Sequence, residues 1–312
     1  MSDAALPPIA NPVPARRRVW VQAIRFRSFT ASTIPIAVGS LLALVDRQFS
    51  LPLLVLMLLA SMACHAGANM ANDYFDFKKG IDNPDSIGAN KVILQGRLTA
   101  SEVKRGMTVA FAIATALGLI VVYETSWEIL ALALVSLAAA YFYTGGPKPL
   151  GYMALGELVS FVFMGPVMVG GAYFAMTETV TWPVLIVACA VGCLVAAIMH
   201  ANNIRDIETD RAAGKTTIAT LSGRALANQE YRFLIAGAPG LIVLLIAFDR
   251  GWWPLLTIVI ALPAALRLGR FVASAAGAKD LNLLLRKTAG LHLRFGVALI
   301  LGLLLRVILD RL

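Results

Sequence analysis

Charge is scarce in this chain: Asp, Glu, Lys and Arg make up 14% of its 312 residues while 59% are hydrophobic, against about a quarter charged in a typical soluble domain. That balance excludes an ordinary soluble domain and assigns the chain to a bilayer. Cysteine is nearly absent, and Cys64, Cys189 and Cys193 all fall inside apolar runs. This argues against a disulfide framework or a zinc site and leaves them as small apolar residues. Histidine is equally sparse, and His65, His200 and His292 show no metal-ligand spacing. There is no P-loop, no Gly-x-Gly-x-x-Gly opening a helix after a strand, and no Ser nucleophile elbow, which sets aside ATP-driven and acyl-transfer chemistry. The net charge of +9 is not a nucleic-acid signature, because the basic residues flank apolar runs and are not interleaved with aromatics. Anionic lipid and an anionic substrate are the partners it suggests, and no obligate protein partner is evident.

What the chain has is apolar length. Windows long enough to cross about 30 Å of hydrocarbon lie at 29–46, 51–70, 106–123, 127–144, 154–175, 182–201, 233–248, 252–267 and 294–309. They predict an all-α bundle of about nine transmembrane helices around a central cavity. Residues 1–28 are Pro-rich and then basic, with Arg16, Arg17, Arg18, Arg25 and Arg27, and contain no apolar core for a cleavable signal. They read as a cytoplasmic tail preceding a transmembrane domain at 29–312. With the N-terminus cytoplasmic, all of the 27 Lys and Arg fall on the inner side except Arg47, Arg250, Arg306 and Arg311, and the C-terminus lies outside.

The acidic residues are not spread evenly. Asp73, Asp76, Asp82 and Asp85 follow the second window, and Asp206, Glu208 and Asp210 follow the sixth. Charge concentrated beside a membrane is costly and usually functional. Both segments contain Ala-Asn-(Asp or Asn)-x-x-Asp, and each is followed by a Leu-x-Gly-Arg tetrad at 94–97 and 221–224. They read as divergent copies of parallel topology, or as coincidence. A helix continued out of each window places Asn72 and Asp76 at i and i+4, and Asn202, Asp206 and Asp210 at i, i+4 and i+8, as two stripes of oxygen donors. Hard oxygen donors suit Mg²⁺, which binds through one or two carboxylates plus phosphate oxygens, so two such stripes suit a diphosphate held between metal ions. The other reading makes these carboxylates caps and solvated charges paired with Lys78, Lys79, Arg205 and Arg211.

Basic residues in the same loops are candidates to complete the anion site: Lys91, Arg97, Lys148, Arg205, Arg211, Lys215 and Arg224. Lys148 stands out, alone in the loop Thr144-Gly145-Gly146-Pro147-Lys148-Pro149, although Glu157 is an available partner that would simply order this loop. Tyr141, Phe142 and Tyr143 precede it, either shielding a developing cation or anchoring the interface. The segment at 275–294 is a loop or an interfacial helix whose Lys and Arg suit anionic lipid.

Asn72-Asp73-x-x-Asp76 with Asp82, and Asn202-x-x-x-Asp206-x-x-x-Asp210, resemble the paired Asp-rich motifs of the UbiA-type intramembrane aromatic prenyltransferases. Within that superfamily 72–80, 143–149 and 202–211 are most similar to the dihydroxynaphthoate polyprenyltransferases of menaquinone synthesis. The likeness runs from about residue 20 to the C-terminus. Many relatives acting on hydroxybenzoate have Tyr-x-x-x-Lys after the fourth span, whereas Tyr143 and Lys148 are five apart. This favours a naphthoate acceptor.

The resemblance implies a bacterial inner-membrane enzyme with its cavity capped on the cytoplasmic side by the two motif loops. It implies transfer of a polyprenyl group from a polyprenyl diphosphate to an aromatic acceptor, 1,4-dihydroxy-2-naphthoate giving demethylmenaquinone. Asn72, Asp73, Asp76, Asp82, Asn202, Asp206 and Asp210 would then hold Mg²⁺, with Asp76, Asp206, Asp210 and Lys148 catalytic. Asn72, Asn202, Lys91, Arg97, Arg205, Lys215 and Tyr143 would meet the diphosphate. The same fold with 4-hydroxybenzoate, homogentisate or another acceptor is the main rival. A membrane transporter is the rival from another class, opposed by the near-absence of charge inside the spans.

Overall fold

The computed structural model describes residues 15–81 and 92–312. Among these the chain is built of helices and turns, with one isolated bridge between Met153 and Thr216. The helices, in order, are α1 Arg16–Ala23, α2 Thr30–Val45, α3 Leu51–Lys78, α4 Ala100–Glu124, α5 Trp127–Phe142, α6 Gly156–Val162, α7 Met168–Thr177, α8 Trp182–Arg205, α9 Ile207–Ala212, α10 Ile218–Phe248, α11 Leu262–Ser274 and α12 Gly277–Leu309.

Their ends follow local chemistry. Ser50 caps α3, its hydroxyl accepting from the Leu53 amide, with proline in the first turn. Thr99 and Glu102 form a reciprocal capping box on α4, and Thr217 with Thr220 does the same on α10. Between α6 and α7 the chain runs continuously through one π-helical turn, Phe163–Val167, containing Pro166. Proline has no N–H to give to the helical ladder, and the wider turn absorbs the loss. The same stretch presses on α8: a Cβ on Gly165 would stand 2.6 Å from the Ala188 carbonyl oxygen, so only glycine permits this approach. From Arg250 to Ala261 the backbone winds more tightly, as a 3₁₀ helix, before α11.

Helix α8 is the centre of the bundle. Its Val187, Val191, Leu194 and Ala197 are buried against α2, α10 and α12, which contribute Leu42, Tyr231, Ile242 and Leu299 to one core. A second core joins α1, α3 and α4 through Val19, Met70, Val103 and Met107.

Seven helices or continuous helix pairs among the described residues are long and apolar enough to cross a membrane, and counting the bent pair Arg16–Ser28 and Thr30–Val45 makes eight. Helix α5, with 16 residues, is a shorter apolar helix. The chain is a multi-pass membrane protein. Residues 16–28, part of the basic tail on sequence grounds, are helical here and meet α2 at a bend of 49°. Within that first segment the chain also turns at Arg25, whose φ of 53° and ψ of 49° are left-handed. Of the segment at 275–294, residues 277–294 form the first half of α12 and not a loop.

Candidate active site

Both Asn/Asp segments are helix ends and not loops. The first lies on the last turns of α3, which place Asn72 and Asp76 one above the other, and the Asn72 amide donates to Asp76 Oδ2 at 2.8 Å. The second starts on α8, but the helix breaks at Asp206 and resumes as α9, so Asn202 and Asp210 do not share one straight stripe. The break is a tight one: the Asp210 amide still donates to the Asp206 carbonyl at 2.7 Å. Arg224 holds the end of α8 by donating to the Ile204 carbonyl at 3.0 Å and to that of Ala275 at 2.9 Å. Its tetrad matches the other in backbone sign, with φ of 64° at Gly96 and 73° at Gly223.

Asn72, Asp76, Asn202, Asp206 and Asp210 all line a single cavity of about 1060 Å³, together with Tyr143, Arg205 and Lys215. Away from these groups the wall is mainly apolar, through residues such as Val121, Ile129, Leu137, Phe163 and Met168. A polar head region opening onto an apolar chamber suits an amphiphile.

Arginine holds each motif in the same way. Arg25 donates to Asn72 Oδ1 and to Asp73 Oδ1, both at 2.6 Å. Arg205 donates to Asn202 Oδ1 at 2.8 Å and to the two Asp206 oxygens at 2.7 and 2.6 Å. Two guanidinium groups thus hold the oxygen donors in register, as a cation would. Asp73 is buried behind the cavity wall in this pairing.

Between the motifs stands Tyr152. Its loop is tied to the segment after α9, with the Ala154 amide donating to the Thr216 carbonyl at 3.0 Å and the Thr216 amide to the Tyr152 carbonyl at 3.3 Å. The Tyr152 hydroxyl donates to Asp76 Oδ1, while Lys79 and Lys215 place their ammonium groups 4.9 and 5.6 Å from its ring centre. Lys215 also donates to Asp210 Oδ1 at 3.3 Å, and Asp210 Oδ2 is buried with no hydrogen-bond partner. Burial pushes the Asp210 carboxyl up to about 6, opposed by Lys215 and reinforced by Asp206.

Under the second motif lies a buried pair. Glu157 Oε1 meets His200 Nδ1 at 2.8 Å and accepts from the Asn203 amide at 2.9 Å, while His200 Nε2 donates to the Ala227 carbonyl at 2.8 Å. Glu157 is therefore the partner of His200 and not of Lys148. Lys148 is exposed and outside the cavity lining, its loop turning it to the surface, and Arg97 is exposed and donates to Gln22 at 2.8 Å. Lys91 and Asp82 lie outside the described residues. Of the aromatics before that loop, Tyr143 lines the cavity, whereas Tyr141 and Phe142 face outward. The sequence pattern did not single out Arg25, Tyr152 or Lys79 for these places.

No three His, Cys, Asp or Glu side chains among the described residues gather into a preformed metal site. The donor set does fit a divalent ion shared with a ligand: amide and carboxylate oxygens on both walls, one of them the unpaired Asp210 Oδ2. Mg²⁺ takes few protein ligands and completes its shell with water and phosphate oxygen.

Residues 32–290 match the UbiA prenyltransferase family. The chain is 34% identical over 205 residues to a 1,4-dihydroxy-2-naphthoate octaprenyltransferase of Bacillus subtilis, covering 66% of each. It is 32% identical over 269 residues to the protein of the same name from Mycobacterium tuberculosis, covering 86% of this chain and 91% of that one. Among solved structures, a UbiA homologue from Archaeoglobus fulgidus bound to GPP and Mg²⁺ superposes with a TM-score of 0.61 at 16% identity, over 90% of this chain and 99% of that one.

Proposed function

Because the chain belongs to the UbiA prenyltransferase family of membrane-bound enzymes, we propose that it transfers a polyprenyl group from a polyprenyl diphosphate to 1,4-dihydroxy-2-naphthoate. The observation that carries this reading is the meeting of both Asn/Asp motifs on one cavity whose remaining wall is mainly apolar. The acceptor follows from the relatives, whose names specify dihydroxynaphthoate. In this reading α5 completes a set of nine spans, the motif ends form a cytoplasmic cap, the N-terminus is cytoplasmic and the C-terminus outside.

Asn72, Asp76, Asn202, Asp206 and Asp210 would hold Mg²⁺, with Asp73 behind them. Mg²⁺ there supplies charge neutralisation for the diphosphate oxygens. Arg25 and Arg205, which hold these oxygens in register, turn to the diphosphate, and Lys215 adds positive charge beside Tyr152. The allylic C–O bond breaks with its electron pair leaving on the diphosphate. The ring carbon bearing the carboxylate attacks the allyl cation, and aromaticity returns as the carboxylate departs as carbon dioxide, its bonding pair passing to the ring. Tyr143 and Tyr152 present π-faces near the cation, and the apolar walls keep water from it. The isoprenoid tail occupies the apolar chamber.

The test is product identification by mass after incubating the protein, in lipid nanodiscs with Mg²⁺ and a polyprenyl diphosphate, with dihydroxynaphthoate or 4-hydroxybenzoate. Prenylated, decarboxylated naphthalenediol is the expected product. Prenylated hydroxybenzoate alone would replace the acceptor and keep the reaction.

A further inference from the structure

Below Asn72 and Asp76, the same face of α3 carries Asn69, His65 and Ser61 to the cavity wall. At helical rise Asn69 lies about 4.5 Å and His65 about 10 Å along the axis from Asn72, a depth one to two turns beneath the diphosphate region. A hydrocarbon tail needs no polar partner at that depth.

The hydrogen bonds there resolve the donors from the acceptors. The Ser28 hydroxyl donates to the Arg25 carbonyl at 2.8 Å. Having given its proton away, its oxygen accepts from Asn69 Nδ2 at 3.2 Å and faces His65 Nε2 at 3.2 Å. The proton of that last contact therefore sits on Nε2, which leaves Nδ1 with a lone pair. Nδ1 is buried and has no hydrogen-bond partner. Asn69 spends its amide protons on Ser28 and on the Ile24 carbonyl at 2.9 Å, and its own carbonyl oxygen receives no hydrogen bond among the described residues. The cluster thus presents two uncommitted acceptors, beside the ring of Phe29, whose centroid is 5.5 Å from that of His65.

We propose that His65 and Asn69 are the subsite for the ring hydroxyls of the aromatic acceptor, each accepting a hydrogen bond from a phenolic O–H. Two acceptors match two hydroxyl donors, whereas a carboxylate, which only accepts, gains nothing from them. The acceptor's carboxylate is left to the arginines nearer the motifs. A hydrogen bond drawn from the phenolic oxygen raises the ring's electron density and favours its attack on the allyl cation. This subsite rests on the prenyl-transfer reading and adds its specificity element.

The experiment compares wild type with His65→Phe, which keeps an aromatic ring and removes the nitrogen. For wild type, 1,4-dihydroxynaphthalene is expected to inhibit competitively against dihydroxynaphthoate, and an analogue lacking one hydroxyl to bind about tenfold more weakly, as expected for one buried hydrogen bond. In His65→Phe the acceptor KM is expected to rise about tenfold with the donor KM little changed, and the one-hydroxyl penalty to shrink. A merely structural role for the cluster, as a latch on the Arg25 elbow, would raise the donor KM as well and leave the hydroxyl penalty intact; that result overturns the proposal. So does equal binding of the hydroxylated and deoxygenated rings by wild type. If His65→Phe does not fold, Asn69→Leu is read against the same analogues, with the same outcomes deciding. Equilibrium binding of the rings without donor separates the two readings. Absent turnover with any aromatic acceptor overturns prenyl transfer, whereas hydroxyl-insensitive binding overturns this subsite alone.

Discussion

The Tyr152 hydroxyl donates to the carboxylate of Asp76, a residue 76 positions away in the chain, and so ties the loop after α5 to the end of α3. Because the same loop is bonded to Thr216, Tyr152 also fixes the distance between the two acidic motifs. Tyr152→Phe removes one hydrogen bond to a charged group, worth about 1.5–3 kcal/mol. The expected result is a fall in kcat/KM of about ten- to a hundredfold, with the ring's contacts to Lys79 and Lys215 retained. Steady-state kinetics at saturating acceptor checks it.

Arg205 and Lys148 make a second prediction. Arg205 reaches Asn202 and both Asp206 oxygens inside the cavity, whereas Lys148 is exposed outside it. Arg205→Ala is expected to raise the donor KM by about a hundredfold, in line with the loss of a charge-assisted, bidentate contact. Lys148→Ala is expected to raise it far less. Reversal of that order would return the loop lysine to the diphosphate.

Asp210 sets a pH dependence. Its carboxyl, pushed up to about 6 by burial, must lose its proton to bind a divalent ion. Apparent Mg²⁺ affinity is therefore expected to be flat above pH 7 and to fall below pH 6, by about tenfold per pH unit for a single competing proton. Asp210→Asn should weaken Mg²⁺ binding and remove this slope. Calorimetric titration from pH 5 to 8 measures both.

Glu157 and His200 make a buried pair whose loss is structural. Glu157→Ala leaves His200 and Asn203 unmatched between α6 and α8 and is expected to destabilise the protein by about 3–5 kcal/mol. Thermal unfolding in detergent would show it as a lowered Tm. Glu157→Gln, which still accepts from Asn203, should lose less.

Much of this organisation is legible in the residues. Asn72, Asp76, Asn202, Asp206 and Asp210 announce themselves by spacing beside apolar windows, and all five meet on one cavity. Arg25 does not, because five arginines in a basic flank look alike until the left-handed bend turns one of them onto α3. Tyr152 is hidden for a different reason: its position depends on the bridge between Met153 and Thr216, a non-local pairing with no periodic signature. Lys148 misleads by isolation, since an unusual loop residue need not face the site. The helical ends of α3 and α12 run past their apolar windows because polar residues there still take part in helix ladders, which hydropathy cannot register.

The central claim is that two motifs on one cavity ionise a prenyl diphosphate together. The most direct measurement is Mg²⁺-dependent diphosphate release by purified wild type, Asp76→Ala and Asp206→Ala, given a polyprenyl diphosphate and dihydroxynaphthoate. The account predicts release by wild type that stops when Mg²⁺ is chelated and is lost in either variant, with both variants still folded. Full release by either variant would contradict it.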